Sequence, residues 1–100
     1  MPLMNKNNLI TPGTVVCRNK ELLAGNIDGE VILMSFANNE YYGMNRAGSR
    51  IWQLLEKPVA VNDIVNVLLE EFETDRQTCL ADVTEFLKML LSKKLISIVE

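Results

Sequence analysis

The stretch that decides the fold is Glu30-Val31-Ile32-Leu33-Met34-Ser35-Phe36, then Ala37-Asn38-Asn39, then Glu40-Tyr41-Tyr42-Gly43-Met44 and Asn45-Arg46. Its first block is apolar at both odd and even positions, which predicts a strand covered on both faces. Asparagine tolerates the left-handed backbone of tight turns, so Ala37-Asn38-Asn39 joins residues 30–36 to 40–44 as an antiparallel hairpin. Asn45 then suits a helix N-cap.

Towards the N-terminus, Pro12 and Gly13 precede Thr14-Val15-Val16-Cys17-Arg18, a β-branched run that reads as the first of three strands. Gly25-Asn26 and Asp28-Gly29 read as punctuation before the second. The polar start, Asn5 to Asn8, reads as part of a loose tail over residues 1–13, leaving 14–100 as one domain.

Towards the C-terminus, Ala47, Ile51, Leu54 and Leu55 recur at helical spacing until Pro58. Asn62 to Phe72 predicts a second helix with Asn62 as cap, carrying Ile64, Val65, Leu68, Leu69 and Phe72 on one face. Thr74-Asp75-Arg76-Gln77 has the form of a capping box opening a third helix. There Leu80, Val83, Leu87, Leu90 and Leu91 form one stripe, which Cys79, Phe86 and Met89 widen to roughly half the circumference. Lys93 and Lys94 complement the helix dipole, and Leu95 to Val99 closes the chain as a short extended segment. The expected fold is α+β and winged-helix-like: an N-terminal three-stranded antiparallel sheet followed by three helices.

Chemistry is constrained more by what is missing. The 100 residues contain no histidine, which removes Ser-His and Cys-His nucleophile pairs and the HExxH metal helix. Cys17 and Cys79 stand far apart without a CxxC partner and read as reduced thiols used as small apolar residues, with no metal site. No Gly-rich phosphate loop occurs, and the carboxylate pairs Glu70/Glu71 and Asp82/Glu85 read as solvated helix faces. No catalytic residue or cofactor is expected. No apolar run approaches the about 18 residues that span a bilayer, and the N-terminus lacks an apolar signal core, so the chain reads as cytoplasmic and without membrane contact.

A winged helix raises the possibility of a DNA-binding regulator. Residues 56–100 carry five basic side chains against nine acidic ones, so phosphate is repelled and nucleic acid is not an expected partner. What remains is a sheet edge at Tyr41 to Met44 beside an over-wide apolar helix, a groove able to take an extended peptide as a further strand. The same apolar surface fits equally well a contact with the tail or with a second copy.

Tyr41-Tyr42-Gly43-Met44-Asn45-Arg46-Ala47-Gly48-Ser49-Arg50-Ile51-Trp52-Gln53-Leu54-Leu55 resembles the YxxLNxxGxxIWxLL signature of PqqD-like proteins. Cys79 to Leu90 resembles the CxxDVxxFLxxL helix of the same family, and Leu95-Ile96 stands where the family has GL(I/V). Met44 replaces the usual Leu, and Lys94 replaces the usual Gly at a left-handed position, a cost on the order of 1 kcal/mol. The resemblance, from about Val15 to Val99, implies a noncatalytic recognition element for ribosomally made precursor peptides, which binds the leader segment as an added strand and presents it to a modifying enzyme. It implies partners of two kinds: the cysteine protease and cyclase of a lasso peptide pathway, or a radical SAM enzyme. It also implies site residues, with Tyr41, Tyr42, Gly43 and Met44 as the strand edge and Asp82, Val83, Phe86 and Leu90 as the facing wall. Ile51, Trp52 and Leu55 match the signature but read as core. A subunit that merely stabilises an enzyme is a further alternative.

Overall fold

Asp28 and Gly29 both hold positive φ, 53° and 83°, the backbone of the two-residue turn that matches the twist of paired strands. That turn joins β2 (Leu23–Ile27) to β3 (Glu30–Ser35), and a second turn, with Asn39 at φ 53°, joins β3 to β4 (Glu40–Gly43). In the computed structural model, which describes residues 10–20, 22–36 and 38–99, these three strands form one antiparallel sheet in the order β2-β3-β4. The helices α1 (Arg46–Leu54), α2 (Val61–Glu71) and α3 (Arg76–Ser92) follow it.

The α+β class and the β3–β4 hairpin stand, but the sheet's first strand is a different segment. Leu23–Ile27 occupies that place, although Gly25-Asn26 reads as a turn, because a glycine at an exposed edge forfeits little packing. The expected first strand, β1 (Val15–Arg18), lies in a second antiparallel sheet between β5 (Val59–Ala60) and the terminal strand β6 (Ile96–Val99). This second sheet makes the winged-helix comparison a loose one.

β3 is covered on one face only. Val31, Leu33 and Ser35 point inward and are buried, whereas Ile32 and Met34 are half-exposed. The core joins Val31 and Leu33 to Ile51, Trp52 and Leu55 of the α1 turn, Ile64 and Val65 of α2, and Val83, Leu87 and Leu90 of α3. Of the expected tail, residues 1–9 lie outside the described residues. Ile10 is buried, and the Pro12 and Thr14 carbonyls accept the Asn62 and Val61 N–H groups at 2.9 Å each. Those two bonds satisfy orphan donors at the start of α2, so the helix begins at Val61 without Asn62 as cap.

Asn45 caps α1 as expected, its Oδ1 accepting the Gly48 N–H at 2.8 Å. At α3 the cap shifts by one residue from Thr74 to Asp75. The Asp75 carboxylate accepts both the Thr78 N–H (2.8 Å) and the Thr78 hydroxyl (2.9 Å), and its charge favours the positive end of the helix dipole. α3 ends in a Schellman arrangement: Lys94 takes φ 62°, its N–H donates to the Leu91 carbonyl (3.0 Å), and the Leu95 N–H donates to the Leu90 carbonyl (2.9 Å). Leu95 is fully buried, a hydrophobic contact that offsets the strain at Lys94.

The Thr78 N–H, then the Thr78 hydroxyl, hold the Asp75 carboxyl below its usual value. A depressed folded value stabilises the fold above the unfolded carboxyl's range, about pH 4, and that contribution is lost as pH falls through the folded value. Asp75→Asn keeps an acceptor at the cap without the titration. Acid titrations followed by helical circular dichroism should therefore show a shallower loss of stability for the variant than for the wild type; parallel curves would uncouple the cap from pH.

Candidate functional site

β4 is an edge strand, and its register fixes which backbone groups face outward. The Met44 N–H donates to the Val31 carbonyl at 2.9 Å. The Ser49 hydroxyl bridges the reverse direction, accepting from Val31 N–H at 2.8 Å and donating to the Met44 carbonyl at 3.2 Å. Val31 and Met44 are thus a hydrogen-bonding pair, and the alternation of an antiparallel ladder makes Leu33/Tyr42 and Ser35/Glu40 the next two. The N–H and C=O groups of Tyr41 and Gly43 then point away from β3, a two-residue template for another strand.

Beside this edge lies a cavity of about 450 Å³, open to solvent on one side. Gly43, Met44 and Asn45 form its sheet wall; Ala47, Gly48 and Ile51 of α1 form the floor; Cys79, Asp82, Val83 and Phe86 of α3 face them. The bare backbone of Gly48 lets the Phe86 ring approach, since a Cβ there would sit 3.2 Å from Phe86 Cζ. Leu68 and Phe72 of α2 and Thr74 close the far side. The lining is mostly apolar, with Asp82 the one carboxylate on it among the described residues. Burial pushes the Cys79 thiol up, and the Asp82 charge adds to the effect, so this cysteine is a neutral apolar wall at physiological pH.

Of the eight residues expected at the site, Gly43, Met44, Asp82, Val83 and Phe86 line this cavity. Tyr41 supplies edge backbone while its ring lies on the sheet's outer face, 71% exposed. Tyr42 turns inward beside Leu33, and its hydroxyl accepts from Asn38 Nδ2 at 3.1 Å. Leu90 does not reach the cavity: it is fully buried in the core. Ile51, Trp52 and Leu55 are buried as expected, although Ile51 also touches the cavity. Leu68, Phe72 and Gly48 are lining residues that the motif reading omits. The apolar stripe of α2, running out to Phe72 at the helix end, is the signal that carries the first two.

Two asparagines hold the C-terminal end of α3. Asn38, in the β3–β4 turn, donates to the Lys93 carbonyl at 2.8 Å, and Asn19, following β1, donates to the Lys94 carbonyl at 2.6 Å. One asparagine from each sheet thus ties down the helix C-terminus, and Asn38 holds the hairpin tip at a set distance from α3.

An open sheet edge paired with an apolar cleft defines a class of small domains built to take up an extended chain. This chain belongs to the coenzyme PQQ synthesis protein D (PqqD) family, whose model matches residues 30–96, the span from β3 to β6. TbiB1, solved in complex with the TbiA(beta) leader peptide, is 33% identical, with a TM-score of 0.75 over 81% of this chain and 94% of that one. A lasso peptide synthetase B1 complexed with its leader peptide shares the fold at 20% identity, with a TM-score of 0.73 over 82% and 96% of the two chains. The PqqD truncation of Methylobacterium extorquens PqqCD, described as a stand-alone recognition element for ribosomally synthesised and post-translationally modified peptides, shares it at 13% identity, with a TM-score of 0.76 over 93% and 99%. No curated protein sequence matches the chain.

Proposed function

We propose that residues 14–100 form a noncatalytic domain that binds the leader segment of a ribosomally made precursor peptide and presents it to a modifying enzyme or leader protease. The observation that carries this reading is the outward backbone of Tyr41 and Gly43 beside the apolar cavity. An extended peptide pairing there satisfies the edge, and its alternate side chains enter the space between Met44, Gly48, Val83 and Phe86. Asp82, on the rim, suits a basic or N–H-bearing leader residue. The relative that is 33% identical was solved with a leader peptide bound, which supports the assignment. The partner enzymes are those of a lasso pathway, a cysteine protease and a cyclase, or a radical SAM enzyme, all acting in the cytoplasm where precursors are made. No helix of the described residues is long and apolar enough to cross a membrane. Nothing in the site favours duplex DNA, since among the described residues Asp82 is the only charged group on the cavity wall.

Amide shifts test the placement. On adding a leader peptide that the domain binds, resonances of Tyr41, Gly43, Asp82 to Phe86 and the Leu68–Phe72 end of α2 should move together, while Val15–Arg18 and Ile96–Val99 stay fixed. Shifts confined to the second sheet would put the site elsewhere.

A further inference from the structure

A second cavity, of about 410 Å³, adjoins the first at the turn end of the β2-β3-β4 sheet. Ile27, Asp28, Glu30 and Ile32 line it, and it shares Gly43, Met44 and Asn45 with the groove. Ile27, at the end of β2, is 60% exposed. A Cβ on Gly43 would meet nothing within 4 Å, so no side chain obstructs the passage at the shared rim. Among the described residues no Lys or Arg lines this cavity, and neither Asp28 nor Glu30 forms an ion pair; Arg46 and Arg50 line an adjoining pocket with Gly29, where Arg50 is paired with Glu71.

We propose that this cavity is a second subsite for the same precursor peptide, taking an apolar residue with an adjacent Lys or Arg just beyond the strand-pairing segment. The proposal rests on strand addition at β4. A peptide paired along Tyr41 and Gly43 is at the shared rim where it meets Gly43, and at about 3.3 Å per residue its next one or two residues pass over the second cavity. There Ile27 and Ile32 offer apolar contact, and Asp28 and Glu30 supply a negative field that a basic side chain neutralises without being deeply desolvated. Asp82, on the first cavity, and the Asp28/Glu30 pair, on the second, place negative charge at two separated points along one path. Peptides combining apolar anchors with spaced basic residues fit that pattern.

A displayed library of random peptides of about 16 residues, long enough to span both cavities, provides the probe. It is selected against the wild type, and the winners are titrated onto the wild type and onto the double variant Asp28→Asn/Glu30→Gln, whose changes fall on exposed side chains. The expected winners carry Lys or Arg next to an apolar residue at one end and shift amides from Ile27 to Ile32 as well as those of Tyr41 and Gly43. They should bind the double variant at least about fivefold more weakly, a difference that shrinks at high salt. Winners that shift Tyr41 and Gly43 but bind both proteins equally would overturn the second subsite and leave strand addition standing. Winners that leave Tyr41 and Gly43 unmoved would overturn both.

Discussion

Leu87→Ala should lower folding stability by about 2–5 kcal/mol, whereas Phe86→Ala, one residue earlier on the same helix, should lower it less and instead weaken leader binding by about 1–3 kcal/mol. Leu87 is fully buried within the core cluster, so truncation leaves a cavity that its close-packed surroundings only partly fill. A small domain has only about 5–15 kcal/mol of net stability to lose, and a loss of this size is a large part of it. Phe86 is half-buried, its ring lying on Gly48 with one side open to the cleft, so solvent replaces part of what truncation removes. On the binding side, 1–3 kcal/mol is roughly a 5- to 150-fold rise in Kd. Paired thermal melts and leader titrations separate the two roles. Should Phe86→Ala melt as early as Leu87→Ala while its folded fraction binds leader normally, Phe86 belongs to the core and the groove lies on another face.

How far the sequence discloses this arrangement depends on the range of the interactions involved. The β3–β4 hairpin and the Asn45 cap are legible because each depends on a few adjacent residues, whereas the left-handed Lys94 is legible only through the family resemblance and Trp52 only as a signature position read as core. What escapes is tertiary. The transfer of Val15–Arg18 to a second sheet depends on Val59–Ala60 and Ile96–Val99, segments more than 40 residues away whose register no local pattern announces. The start of α2 is likewise fixed by the carbonyls of Pro12 and Thr14, which substitute for a side-chain cap. Asp28-Gly29 carried a legible hairpin signal, yet Gly25-Asn26 two residues earlier obscured the strand it serves.

The site divides along the same line. Residues lying on one short motif, Gly43 and Met44, and those at helical spacing on α3, Asp82, Val83 and Phe86, come together at the cavity. Leu90 continues that helical spacing but faces inward, because α3 packs against α2 and β6 and only one edge of its wide stripe remains open. The contribution of α2 requires knowing how α2 and α3 cross, a packing outcome.

Gly43→Pro should abolish leader binding, raising Kd by at least tenfold, while leaving the hairpin intact. The asymmetry follows from the ladder. Tyr42 pairs with Leu33 and the Met44 N–H with the Val31 carbonyl, so those pairings do not use the Gly43 N–H, which faces the open edge. Proline deletes that outward donor and fills the approach with its ring, and on an edge strand this is the position where it is tolerated. Gly43 does not hold the positive φ that proline cannot adopt, and Tyr42 before it already has the extended backbone that a following proline requires. The substitution therefore discriminates backbone pairing from side-chain capture. Loss of binding with an unchanged melting temperature assigns the affinity to strand addition at β4. Undiminished binding by a folded Gly43→Pro protein would mean that the peptide is held by the apolar cleft alone, without β4.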